Sequence, residues 1–375
     1  FSGCSGITSL SLNSGLAYID IAAFSGCVSL AAVVIPATVE RVGDHSFMNC
    51  IALASLAISD GVTSIGALAF ANTALATLTI PDSVISLDFS AVNAIPTLTT
   101  LVIGSGVTAG FPKQVFQSNK VITSVTMGSG MLSVGAEAFI GCTALAQINF
   151  GAGVTIIEYA AFAGCSALTS VSLSASVTTI GHSAFSGCSG ITSLSLNSGL
   201  AYIDIAAFSG CVSLAAVVIP ATVERVGDHS FMNCIALASL AISDGVTSIG
   251  ALAFANTALA TLTIPDSVIS LDFSAVNAIP TLTTLVIGSG VTAGFPKQVF
   301  QSNKVITSVT MGSGMLSVGA EAFIGCTALA QINFGAGVTI IEYAAFAGCS
   351  ALTSVSLSAS VTTIGHSAFS GCSGI

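Results

Sequence analysis

The 375-residue chain has no tryptophan and only six lysines and arginines in total. Charged residues make up 6% of it, against roughly a quarter in ordinary soluble domains. So few cations cannot neutralise a run of phosphates, which excludes nucleic acid as a partner. Hydrophobic residues reach 53% and the mean hydropathy is +0.97. Even so, Ser, Thr, Gly and Asn interrupt every apolar run before the ~18–20 residues of a membrane span. There is no Cys-x-x-Cys pair to suggest a metal site, no Asn-x-Ser/Thr sequon for an N-glycan and no Gly-x-Ser-x-Gly elbow. Gly128-Ser129-Gly130 and similar stretches carry no lysine and open no helix, so a phosphate loop is not expected. Asp44-His45-Ser46 has the letters of a catalytic triad, but a working triad gathers its members from separate parts of the chain. Neither an enzyme nor a bound cofactor is expected. The net charge of −10 is spread without an acidic block. Such weak self-repulsion favours association of chains with one another.

What is present is repetition. The heptapeptide Phe-Ser-Gly-Cys-Ser-Gly-Ile stands at 1–7, 185–191 and 369–375, and residues 1–184 recur letter for letter as 185–368. A fixed period points to one elongated array. The expected organisation is a single continuous solenoid over 1–375, made of units 1–184 and 185–368 with a third beginning at 369–375. The chain starts without Met and stops in mid-pattern, as expected of a window from a longer repetitive polymer. Inside the unit lies a finer period of 23: Phe1, Phe24, Phe47, Phe70, Phe116, Phe139, Phe162 and Phe185 share it, and Asn93 interrupts it. Eight coils make a unit and about sixteen make the chain. One apolar column runs Ile7, Leu30, Leu53, Leu75, Leu98, Ile122, Leu145, Leu168. The segment L-x-x-L-x-I alternates in the period of a half-buried strand. Asn13-Ser14-Gly15 and Ser59-Asp60-Gly61 are turn chemistry. V-x-x-I-G reads as a second short extended piece, and the A-F-x-G-C corner as a single helical turn. Stacked coils would bury a continuous core that one coil cannot bury alone. Leu75 arrives one residue early, Val92 takes the Phe place, Ile95 the Cys place, and Phe116 restores the phase.

Ala-Phe-Ser-Gly-Cys-Ser-Gly-Ile-Thr-Ser-Leu-Ser-Leu and Ser-Val-Thr-Thr-Ile-Gly-His-Ser-Ala-Phe resemble the BspA-like leucine-rich repeats, a family of bacterial and protist surface proteins. The resemblance covers essentially the whole chain. It implies a leucine-rich-repeat solenoid, mainly β, with a parallel sheet along one face and short turns or helical turns elsewhere, and a location outside the cell or on its surface.

Three groups of residues are candidates for a role. Cys4, Cys27, Cys50, Cys142, Cys165, Cys188, Cys211, Cys234, Cys326, Cys349 and Cys372 all stand three residues after the repeat Phe. Coils ~4.7–4.9 Å apart would line them up as an inward ladder. A disulfide is geometrically open to neighbours at that spacing. Because Thr73 and Asn119 replace Cys in the same column, the expected role is a buried free thiol that staples the corner. Glu158, His182 and Asp204 fall at nearly equivalent places on successive coils. A weak cation site there is set against a solvated edge, and the edge is the favoured reading. Lys113, Lys120, Lys297 and Lys304, in the irregular coils, read as exposed loop.

The third group is the outer strand face, with Thr77, Thr79, Thr100, Ser124, Thr126, Gln147 and Asn149 as candidate contacts. The face has no aromatic or charged hot spots. It is flat, small and uncharged, suited to a copy of itself or another flat array. Its hydroxyl ranks resemble those of ice-binding solenoids, but Ala, Val, Gln and Asn break them. With no polar capping coil, both ends would offer apolar core and open strand edges for further stacking. Sixteen coils would make a rod of ~75–80 Å. The expected function is the structural shaft of an extracellular or cell-surface filament, partnered by itself end to end or laterally. The alternative is a surface adhesin that binds a host or matrix protein through the strand face or the irregular coils.

Overall fold

The computed structural model describes residues 1–375, and the chain divides into two compact units. One comprises Phe1–Thr178 with Cys188–Ile191, the other Thr179–Gly187 with Thr192–Ile375. Each is a solenoid of parallel β coils with almost no helix. In the first unit, Ala32–Ile35 pairs with Ser55–Ile58, and Thr77–Ile80, Thr100–Ile103, Ser124–Thr126 and Gln147–Asn149 form a four-stranded parallel sheet. The second short extended piece is present too, as Tyr18–Ile19, Arg41–Val42, Ser64–Ile65 and Ser86–Leu87 in a parallel ladder of their own. In the second unit Thr261–Ile264, Thr284–Ile287, Ser308–Thr310 and Gln331–Asn333 build the equivalent four-stranded sheet.

Register follows the sequence period and its faults. Tyr18 pairs with Arg41 and Thr77 with Thr100, one full period on. Ser64 pairs with Ser86, one residue short, and Thr100 with Ser124, one residue long, so the two faults cancel. The apolar columns are the core. Leu30, Leu53, Leu75, Leu98, Ile122, Leu145 and Leu168 are all buried, each side chain contributing about 1.5–3 kcal/mol by leaving water. The Phe rings stack down the interior at centroid spacings of 5.3 Å (Phe24–Phe47), 5.3 Å (Phe116–Phe139) and 5.2 Å (Phe139–Phe162).

The corner differs from the single helical turn expected of it. In the coil of Phe24, the amides of Ala22, Phe24 and Gly26 donate to the carbonyls of Asp44, Ser46 and Met48 in the next coil, at 2.9, 2.8 and 2.8 Å. The intervening amides of Ala23, Ser25 and Cys27 close turns on Asp20, Ala22 and Phe24. Sending alternate amides along the stack requires left-handed residues, here Ala22 (φ 54) and Gly26 (φ 72), which a helix cannot contain. That is why Gly recurs in F-x-G-C, and why Asn49 and Asn72, tolerant of the same region, replace it. Real helix appears only in the faulted coil of each unit, at Ser90–Asn93 and Ser274–Asn277.

Candidate functional site

The corner is where coils lock together, and the cysteines are part of it. All eleven are free thiols; nine are buried and Cys4 and Cys372 half-buried. Except at Cys4, in the first coil, each Sγ reaches back one coil to the repeat Phe. Cys50 donates to the Phe24 carbonyl at 3.1 Å, Cys142 to Phe116 at 3.0 Å, Cys165 to Phe139 at 3.2 Å and Cys234 to Phe208 at 3.3 Å. Cys27, Cys188, Cys211, Cys326, Cys349 and Cys372 repeat the contact. The substitutes do related work locally. Thr73 Oγ1 donates to its own coil's Phe70 carbonyl at 2.8 Å, and Asn119 Oδ1 accepts from the amides of Val121 and Ile122. Burial pushes the thiols of Cys50 and Cys326 up from the ordinary 9.0 to about 11, and those of Cys142, Cys234 and Cys349 to about 12. The Cys165 thiol is raised further by its hydrogen bond with Cys188 and by burial. Thiols held protonated are poor nucleophiles and poor metal ligands.

The acidic candidates serve the backbone. Glu158 accepts from the Ala136 amide at 3.0 Å, and Asp204 caps the Ile205 amide at 2.7 Å. His182 is exposed. No group of three or more His, Cys, Asp and Glu side chains is arranged to hold a metal ion. On the strand face, Thr77, Thr79, Gln147 and Asn149 are exposed, while Thr100, Ser124 and Thr126 are half-buried between neighbouring rows. Asn149 Nδ2 donates to Thr126 Oγ1 at 3.3 Å, an outward contact along the sheet.

Sequence reasoning missed a pair of adjoining clefts at the fault of each unit. One, about 490 Å³, is bordered by Asp88, Asn93 and Lys113; the other, about 400 Å³, by Arg41, Asp44 and Ser64. Leu87 and Asp88 belong to both. The signal available was the gathering of scarce charges around the 22- and 24-residue steps.

The profile of the BspA type leucine rich repeat region matches residues 1–99, 109–238, 204–302, 225–350 and 293–375. The chain belongs to the BspA-type leucine-rich repeat family. Among solved structures, a leucine-rich repeat protein from Bacteroides ovatus is 21% identical, with 98% of this chain and 88% of that one covered and a TM-score of 0.52. This likeness shows the shared fold. A leucine rich cell surface protein from Faecalibacterium prausnitzii is 26% identical over 74% of this chain and 80% of its own, with a TM-score of 0.40. The T. pallidum leucine rich repeat protein is 26% identical over 42% of this chain and 76% of its own, with a TM-score of 0.38. No curated protein sequence matches the chain. No helix is long and apolar enough to cross a membrane.

Proposed function

We propose that this BspA-type repeat is a structural element, the shaft of an extracellular or cell-surface filament built from stacked leucine-rich-repeat coils. The observation that carries the reading is the translational rule of the coils. Every regular corner offers carbonyls to the amides and thiol of its neighbours one period away, so a stack can grow by repeating one contact. The scarcity of charge supports close packing of such stacks, and no catalytic step is assigned to the chain. A second reading, a surface binding module, draws on the exposed hydroxyl and amide rank of Thr77, Thr79, Gln147 and Asn149.

Electron microscopy of the native full-length material separates the two. The shaft reading expects continuous filaments with an axial period of ~38–40 Å, eight coils at the strand spacing. Discrete monomers with capped ends would overturn it.

A further inference from the structure

The paired clefts lie where the ladder of short strands stops. Arg41, Ser64 and Ser86 stand opposite one another in register, and the ladder then ends at Ser86–Leu87. The next coil carries the extra residue and Lys113. The clefts therefore run across three coil steps, ~14 Å at the strand spacing. In a chain with 6% charged residues, this short distance collects Arg41, Asp44, Asp88 and Lys113. The second unit repeats the arrangement, with clefts of about 480 and 530 Å³ that share Leu271 and Asp272.

The polar groups are held in place but not used up. Asp88 Oδ1 accepts from the amide and hydroxyl of Ser90, at 2.9 and 2.7 Å, and Asp44 Oδ1 from the Ala67 amide at 2.9 Å. Each carboxylate thus keeps its second oxygen for an outside donor. Asn93 Nδ2 is tied to the Val115 carbonyl at 2.9 Å, which fixes its carbonyl oxygen as a further acceptor. Arg41 and Lys113, at the two ends, are exposed donors.

We propose that these clefts bind a hydroxyl-rich oligosaccharide, one per unit, with Asp44 and Asp88 accepting from its hydroxyls while Arg41 and Lys113 donate to its oxygens. Fixed carboxylates among cationic donors match groups that both give and accept hydrogen bonds, and charge-assisted bonds of this kind are the strong ones. A phosphate-bearing ligand would meet two carboxylates at the centre. A peptide would find only a two-residue strand edge and no deep apolar pocket for a side chain. The site goes beyond the shaft reading and does not depend on it: a monomer would carry it equally.

The test is binding of the intact chain to an array of defined neutral and uronate-bearing oligosaccharides, followed by titration of the strongest binder. Two double variants are compared with the original chain, Lys113→Ala with Lys297→Ala and Asp88→Asn with Asp272→Asn. Because Lys113 is exposed, the lysine pair removes donors without disturbing the fold. Both variants are expected to bind at least tenfold more weakly. A variant of the strand face, Thr77→Ala and Thr79→Ala with Thr261→Ala and Thr263→Ala, is expected to bind as the original does. No oligosaccharide bound, binding unchanged by loss of the lysines, or binding confined to a parallel peptide array would each overturn the proposal. Filaments seen or missing under the microscope leave it untouched, so its failure and that of the shaft reading are distinguishable.

Discussion

The regular coils and the fault at residues 88–115 solve the same problem with different parts. A regular corner ties itself to the next coil with three backbone amides and to the preceding coil with one thiol, over a stacked Phe ring. In the fault, the helical turn Ser90–Asn93 uses its amides internally, with Asn93 donating to Phe89 at 3.0 Å. The tie forward becomes one side-chain bond, Asn93 Nδ2 to Val115. Core volume is restored by new rings. Phe89 packs 5.1 Å from Phe111, and Phe111 meets Phe139 edge-on at 5.0 Å. Filling the interior is therefore obligatory, whereas locking the corner is optional. Where the lock is relaxed the surface opens into the clefts.

The largest effect should come from the ring stack. Phe139→Ala removes a fully buried ring that touches Phe111, Phe116 and Phe162. It is expected to cost about 3–5 kcal/mol, read as a lower urea midpoint at unchanged slope. Phe111→Ala should cost as much, and a cost near zero would break the claim that the fault is packed as firmly as its flanks. Next comes pH. Burial pushes the Cys50 thiol up to about 11 and those of Cys142 and Cys234 to about 12, above the ordinary 9.0. Their stabilisation is complete below pH 9. It is lost as pH rises toward 11 and 12, because the unfolded chain ionises first. Thermal melts should be flat from pH 6 to 8 and fall above pH 9. In a variant with Thr in place of Cys50, Cys142 and Cys234, that fall should shrink.

How much of this could be read beforehand differs between the same two regions. Alternation in Thr77–Ile80 and the 23-residue columns place strands and core without coordinates, because in a solenoid each apolar position repeats in the same environment. The corner was legible only as composition. Glycine and asparagine in F-x-G-C mark left-handed residues, but Ala22, Leu68 and Ala160 take the same conformation without any such marker. Tertiary hydrogen bonds override their local preference. The clefts were illegible because Arg41 and Lys113 lie 72 positions apart in the chain and come to border adjoining clefts only through the stacking of the shortened and lengthened coils.

Two smaller effects sharpen the contrast. Asn93→Ala removes the side-chain bond by which the helical turn reaches Val115 and is expected to cost about 1 kcal/mol. Loss of the exposed Asn72, whose Nδ2 bonds the half-buried Asn49 side chain, should cost less in the same urea titration. Smallest is Ser46→Ala. Its hydroxyl is fully buried without a partner, in a column where Ala23 and Ala69 hold alanine. The substitution is expected to be neutral or to stabilise by up to about 1 kcal/mol, and a marked loss of stability would show a hidden partner for that hydroxyl.

Native-state hydrogen exchange of the intact chain, read peptide by peptide, tests the contrast most directly. Segments opening independently report their own local stability. The account predicts that amides of the helical turns 90–93 and 274–277 exchange before the corner amides of Phe24, Phe139, Phe208 and Phe323, which stay protected together with the sheets. Uniform protection along both units, or regular corners that exchange first, would contradict it.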